Sequence, residues 1–199
     1  MLEEIHERFI KRRRVEILLH KISRLLPERP IKVLDIGCGD GSIAKELMAV
    51  KKNTEIVGID PLVRLNTSIP VTYFDGFSIP FDDLTYDFCL LIDVVHHADD
   101  PASLLSEAVR VSRGGLIIKD HYRQGLLAQQ TLRFMDNVHN KRYGVALPYH
   151  YWTPGRWSKE LKKLDLTTNS IETRINLYPW WADWVFGRGL HFIGSFLRL

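Results

Sequence analysis

The residues richest in chemical content lie in one short segment, Val33-Leu34-Asp35-Ile36-Gly37-Cys38-Gly39-Asp40-Gly41-Ser42. An apolar run ends at Ile36, three alternating glycines follow, and a helical pattern starts near Ser42. Glycine accepts positive φ and lets a ligand approach the backbone closely. A helix N-terminus adds unpaired N–H groups and the positive end of a dipole. In open α/β sheets this position, at the carboxyl end of a strand, is where ligands bind. The spacing discriminates between ligand classes. A dinucleotide loop reads G-x-G-x-x-G, but here Ser42 holds the place of the third glycine, and Gly41 comes one residue early. Further on, Asp60 is the first polar residue beyond Val57-Gly58-Ile59 and precedes Pro61. A carboxylate there can accept two hydrogen bonds from the vicinal hydroxyls of a ribose, which points to an adenosine-type ligand.

The elements that must position these groups alternate. Residues 2–26 read as a helix, with Ile5, Phe9, Leu18, Ile22 and Leu25 at three- and four-residue spacings, ended by Pro27 and Pro30. Strands follow at Ile31–Ile36, Glu55–Ile59, Val71–Phe74, Tyr86–Val94 and Leu116–Lys119, with helices at Ser42–Lys51 and Pro101–Ser112. Gly114-Gly115 reads as the break after the second of these helices. Alternating strands and helices predict a doubly wound parallel sheet covered on both faces. Beyond Lys119 the pattern gives a helix near Gln124–Lys141 and an aromatic loop containing Tyr143, Tyr149, Tyr151 and Trp152. Thr153-Pro154 then caps a helix to about Leu164, and strands follow near Leu166–Thr173 and Leu190–Arg198.

With these motifs in place, residues 31–119 resemble the class I S-adenosylmethionine-dependent methyltransferases. The glycine loop is similar to that family's first motif, D/E-x-G-x-G-x-G. Phe74-Asp75-Gly76-Phe77 before Ile79-Pro80-Phe81 resembles its D-x-x-x-x-P-F stretch. Asp87 through His96-His97, with Asp100-Pro101 after them, resembles its fourth-strand motif. Glu107–Gly115 resembles E-x-x-R-V-L-K-P-G-G, departing at Ser112 and Arg113. The resemblance implies a Rossmann-like sheet of order 3-2-1-4-5-7-6 with an antiparallel last strand, and S-adenosylmethionine as cofactor. It further implies that Gly37, Cys38, Gly39 and Gly41 line the cofactor and that Asp35 orders the loop and its amino-group contacts. Asp60 and Pro61 would flank the ribose. Asp75 would accept from the adenine amino group with Gly76 and Phe77 beside the ring, and the backbone near Asp93 would face the methionine amino group.

In this fold the acceptor sits over the ends of the fourth and fifth strands, where His96-His97 and Asp120-His121 fall. Methyl transfer from a sulfonium is an in-line displacement that asks mainly for alignment and exclusion of water. A hydroxyl or protonated amine acceptor also benefits from a base, and imidazole has a suitable pKa. His121 and His97 are therefore the candidate catalytic groups. The spacing of His97, Asp120, His121, His139 and His150 fits no metal-ligand pattern, so no metal is expected. Tyr149–Trp152 and the tryptophans Trp180, Trp181 and Trp184 read as core, as a roof over the acceptor or, third, as a membrane contact.

Composition narrows the rest. The chain has 199 residues, 45% hydrophobic and 26% charged, as for one globular domain. Within it, residues 1–30 would form a helical cap, 31–119 the cofactor-binding core, 120–165 the acceptor side and 166–199 a terminal hairpin. A net charge of +3 argues against nucleic acid, and the run Lys11-Arg12-Arg13-Arg14 reads as the solvated face of a helix. Two cysteines without a C-x-x-C pair support neither a disulfide framework nor a zinc cluster. No apolar leader and no run of ~18 apolar residues is present, so a cytoplasmic protein without membrane insertion is expected. These features favour methyl transfer to a small, partly apolar molecule, at oxygen or nitrogen. Two alternatives stand beside that reading: a catalytically inactive protein of the same fold, and a nicotinamide-dependent oxidoreductase, against which the glycine spacing argues.

Overall fold

A computed structural model describes residues 2–140 and 147–199, and the side chains of residues 12–138 and 147–199. Tyr143 lies outside the described residues, as do the side chains of Ile5, Phe9, Lys11 and His139. The elements run α1 (Leu2–Leu25), β1 (Ile31–Ile36), α2 (Ser42–Val50), β2 (Thr54–Asp60), β3 (Val71–Tyr73) and β4 (Tyr86–Ile92). A 3-10 turn (Val95–His97) leads to α3 (Pro101–Val111), β5 (Ser112–His121), α4 (Ala128–Asn140), α5 (Pro154–Lys163), β6 (Leu166–Glu172), α6 (Trp180–Phe186) and β7 (His191–Arg198).

The seven strands form one sheet of order β3-β2-β1-β4-β5-β7-β6. The first five are parallel to one another, and β7 runs antiparallel to both β5 and β6. This is the order and the antiparallel final strand expected of the class I methyltransferase sheet. Strand period explains the two cores. In β4, Cys89 and Leu91 face one side, Phe88 and Leu90 the other. The first side carries α3 and α5 through Leu104, Leu105, Ala108, Trp157 and Leu161. The second carries α1 and α2 through Leu18, Ile22, Ala44 and Leu47. Strands buried on both faces read as continuous apolar runs, which is why β4 and β5 were legible.

Local sequence sets the helix starts. Asp100 accepts the N–H groups of Ala102 and Ser103 at 3.1 Å and Pro101 occupies the first turn of α3. Thr153 caps α5 by accepting from the Arg156 N–H, again with Pro in the first turn.

Three departures from the sequence reading have clear causes. Gly114-Gly115 lies inside β5, not before it. At Gly115 (φ +131°) a Cβ would sit 2.1 Å from the Phe196 carbonyl oxygen, so the glycine answers a close approach of β7. β5 also extends through Asp120 and His121, which pair with Phe192 and His191 of β7 and end the strand instead of following it. The tryptophans Trp180, Trp181 and Trp184 lie on a short helix, α6, and are 87%, 46% and 74% exposed, so they are not part of the core. Trp152, by contrast, is 2% exposed and packs edge-on to Trp157. Among the described residues no helix is long and apolar enough to cross a membrane.

Candidate active site

The glycine loop joins the end of β1 to α2. Gly37, Gly39 and Gly41 all have positive φ (68°, 61° and 71°), a conformation L side chains resist. Two of them also have no room for a side chain. A Cβ at Gly37 would lie 2.7 Å from Val94, and one at Gly41 would lie 2.4 Å from Ile69. At Gly39 it would meet only the Arg64 guanidinium, at 3.5 Å, which leaves that backbone approachable.

Asp60, at the end of β2, fastens this loop. Its Oδ2 accepts the Gly39 N–H at 2.8 Å and its Oδ1 the Leu62 N–H at 2.7 Å. Each oxygen retains a second lone pair. Pro61 beyond it is exposed. Asp35, the fifth residue of β1, is buried, and among the described residues no group hydrogen-bonds its carboxyl. Burial first, and the nearby Asp60 charge second, push its pKa from 3.8 up to about 7. Cys38 turns its thiol under the loop, where a Cβ on Gly58 would meet it at 2.3 Å. Burial raises that thiol far above its ordinary pKa, so it is not a nucleophile. After β3, the exposed Asp75 shapes its own turn, Oδ1 accepting the N–H groups of Phe77 and Ser78 at 2.8 Å. Gly76 there has φ +88°, and Phe77 is half exposed.

Across Val94 the chain enters a second, drier region at the ends of β4 and β5. Asp93 (φ +56°) forms ion pairs with Lys119 and with Arg14 of α1, and lies 3.5 Å from His121 Nε2. Burial alone would raise its pKa. Lys119, Arg14 and His121 overcome that and hold it well below the carboxylate range. Lys119 is 1% exposed, so its ammonium is tolerated only through this pairing. Its Nζ also reaches His191 Nδ1 at 3.4 Å, while His191 Nε2 lies 2.9 Å from the Phe186 carbonyl. Burial, then Lys119, push His191 down to about 3, so it is neutral with its proton on Nε2.

His96 is the centre of a neighbouring cluster. Its Nδ1 lies 2.7 Å from Asp120, and its Nε2 3.4 Å from Asp136 of α4. Burial lowers its pKa, but the two carboxylates prevail and raise it to about 10. Asp120 also accepts the N–H groups of Val95 and His121, at 3.0 and 2.6 Å. Tyr151 donates to Asp136 and stacks on His96, ring centroids 5.6 Å apart. His121 is buried beside them, its ring 4.6 Å from that of His96 and 4.8 Å from that of His191. Burial and Lys119 keep it neutral, well below 6.5. His97 is half-buried, 4.0 Å ring to ring from His96. Burial and the His96 charge lower it to about 4.

Residues 9–170 match a family model described as a methyltransferase domain. The chain belongs to this methyltransferase family. An uncharacterized methyltransferase of Mycobacterium sp. strain JLS is 36% identical over 94 residues, covering 43% of this chain and 36% of that one. The tRNA (carboxymethyluridine(34)-5-O)-methyltransferase of Schizosaccharomyces pombe is 31% identical over 100 residues, covering 48% and 42%. The matches thus span well under half the length of these curated relatives. A solved S-adenosylmethionine-dependent methyltransferase of Thermotoga maritima shares the fold at TM-score 0.68 and 18% identity, with 98% and 96% of the chains covered. A Haloferax volcanii complex of the Trm112 methyltransferase activator with a methyltransferase gives TM-score 0.70 at 14% identity, with 98% and 94% covered. Fold and family together are those of the class I S-adenosylmethionine-dependent methyltransferases.

For this methyltransferase-family chain, the glycine loop joins β1 to α2 as its spacing predicts, and the cluster at the ends of β4 and β5 holds more charged and imidazole groups than the sequence suggests. Arg14, taken as part of a solvated face, turns inward to Asp93, whereas Arg12 stays exposed and pairs with Glu16. Lys119, His191 and Asp136 were not singled out. Only Lys119 carried a signal, a charge at the end of an otherwise apolar strand. Of the two adjacent histidines it is His96, not His97, that is bound to Asp120.

Proposed function

We propose that this chain transfers the methyl group of S-adenosylmethionine to a small, partly apolar acceptor, at an oxygen or nitrogen atom. The observation that carries the reading is the junction at Val94. On one side of it lies a glycine loop bounded by Asp35 and Asp60, and on the other a buried cluster of imidazoles and carboxylates. A donor and an acceptor would meet there with little water between them, which is what alignment requires.

The donor side fits the cofactor on its own chemistry. Among the described residues nothing hydrogen-bonds the buried carboxyl of Asp35, which suits it to an ammonium group. Asp60 keeps a free lone pair on each oxygen for ribose hydroxyls. Gly37, Cys38, Gly39 and Gly41 offer backbone, Gly39 the most open. Asp75 keeps Oδ2 for an adenine amino group, with Gly76 and Phe77 beside it. The backbone at Asp93 completes the wall, its side chain being taken by Lys119 and Arg14. When bound, S-adenosylmethionine supplies a methyl group activated by a sulfonium. On the acceptor side His121, neutral and buried, would receive or orient the acceptor's proton, with His97 the second neutral imidazole. Within a single domain, 31–119 would hold the donor and 120–165 shape the acceptor side.

The small-acceptor reading is supported by the modest charge of +3 and by Arg14 being spent inward. The test is a screen with methyl-labelled donor against small hydroxyl and amine acceptors, with tRNA as a separate arm. Label in a small molecule is expected. Label in RNA alone would overturn the acceptor class, and donor binding without transfer to anything would favour the catalytically inactive alternative.

A further inference from the structure

Three buried side chains on the acceptor side turn ligand atoms toward one another. His96 comes from the 3-10 turn, His121 from the end of β5 and Asp136 from α4. One ligand atom of each lies within 4.8 Å of the others. All three residues are 5% exposed or less. Two of their atoms, His96 Nε2 and His121 Nδ1, are buried without a hydrogen-bond partner. Native proteins rarely leave such atoms unpaired unless something binds them. His96 Nε2 and Asp136 Oδ2 stand 3.4 Å apart without forming a hydrogen bond. That separation matches the ~3.3 Å expected between two ligands each about 2.0–2.1 Å from a tetrahedral ion.

The outer contacts point the same way. The other nitrogen of His96, Nδ1, is engaged by Asp120 at 2.7 Å, and Asp120 is itself held by two backbone N–H groups. A carboxylate behind an imidazole in this manner fixes the tautomer and presents the far nitrogen as a ligand. Asp136 is oriented by the Tyr151 hydroxyl.

We propose that His96, His121 and Asp136 bind one divalent transition-metal ion of the zinc class. Two imidazoles and a carboxylate, with no thiolate, suit such an ion. Three protein ligands leave a position for an oxygen of water or of the acceptor, whose proton the ion would acidify. His121 then acts as a ligand in place of a base. The site is a property of three side chains and is measured without donor or acceptor, so its failure and that of the methyl-transfer reading are distinguishable.

The test starts from full-length protein stripped with a chelator and dialysed, then titrated with Zn2+ and with Co2+. One equivalent should bind, Co2+ giving the visible absorption of a low-coordinate nitrogen and oxygen site, and the melting temperature should rise. H121Q and D136N should each lose the equivalent, while H20Q and H150Q keep it. X-ray absorption of the wild-type zinc form removes any dependence on variant folding: a shell of nitrogen and oxygen with two imidazoles supports the site. Sulfur in that shell, binding retained by folded H121Q and D136N, or no binding by the folded parent would overturn it. In the last case His96 is an imidazolium shared by Asp120 and Asp136.

Discussion

Replacing Asp35 by asparagine probes the cofactor side through two opposite pH dependences. Asp35 is 3% exposed, and burial, then the Asp60 charge, raise its pKa from 3.8 to about 7. In the unfolded chain the same carboxyl ionises near 3.9. The folded protein therefore keeps a proton that the unfolded chain releases, and ligand-free stability falls as pH rises from about 4 to about 7, then levels off. A shift of about 3 units at ~1.4 kcal/mol each sets the size of that loss at about 4 kcal/mol. Asp35→Asn removes it. The ligand-free variant should match the parent near pH 4 and exceed it near pH 8 by up to about 4 kcal/mol. Binding should behave in reverse. An ammonium-bearing ligand needs the ionised carboxylate, so parental affinity should climb about tenfold per pH unit up to about 7, while the variant binds weakly with no such climb. Denaturant unfolding of both proteins across this range, with calorimetric titration by S-adenosylhomocysteine, makes the comparison. Equal pH dependence of stability in parent and variant would refute the burial argument. Equal pH dependence of binding would refute the contact with the ligand's amino group.

Other substitutions separate the remaining roles. Asp60→Ala should weaken S-adenosylhomocysteine by about 10²–10⁴, since two charge-assisted hydrogen bonds of about 1.5–3 kcal/mol each are lost. The same change frees the Gly39 N–H, so hydrogen exchange at the loop should accelerate; an unchanged Kd would remove Asp60 from the ribose. Lys119→Met removes one of the two cations paired with Asp93, leaving Arg14, and should cost about 3 kcal/mol in denaturant unfolding; a neutral effect would show that the Arg14 pair suffices. His121→Ala should lower turnover by about 10²–10⁴ while leaving cofactor affinity near that of the parent. Normal turnover per folded molecule would end its catalytic assignment.

The glycine loop and Asp60 were legible in the sequence because their requirements are local. Positive φ at three alternating positions demands glycine, and a polar residue closing an apolar strand marks a site edge, as at Asp60. The sheet followed from strand and helix periods in sequence order. The buried cluster at the ends of β4 and β5 was hidden because its contacts are long-range. Arg14 and Asp93 are 79 residues apart, Lys119 and His191 72, and no local pattern relates them. Asp136 sits on α4, 40 residues from His96, and its other partner, Tyr151, lies 15 residues beyond it, so no local pattern marks it. The Gly114-Gly115 error has the same origin: what resembles a helix break is a close approach of β7, where Gly115 pairs with Leu197, 82 residues further on.

The most direct measurement of the central claim is calorimetric titration of one protein sample with S-adenosylhomocysteine, S-adenosylmethionine and NAD. The G-x-G-x-G loop, with its open backbone at Gly39 and carboxylates at Asp35 and Asp60, predicts stoichiometric binding of both adenosyl compounds and none of NAD. Tighter binding of NAD than of either adenosyl compound would contradict the account.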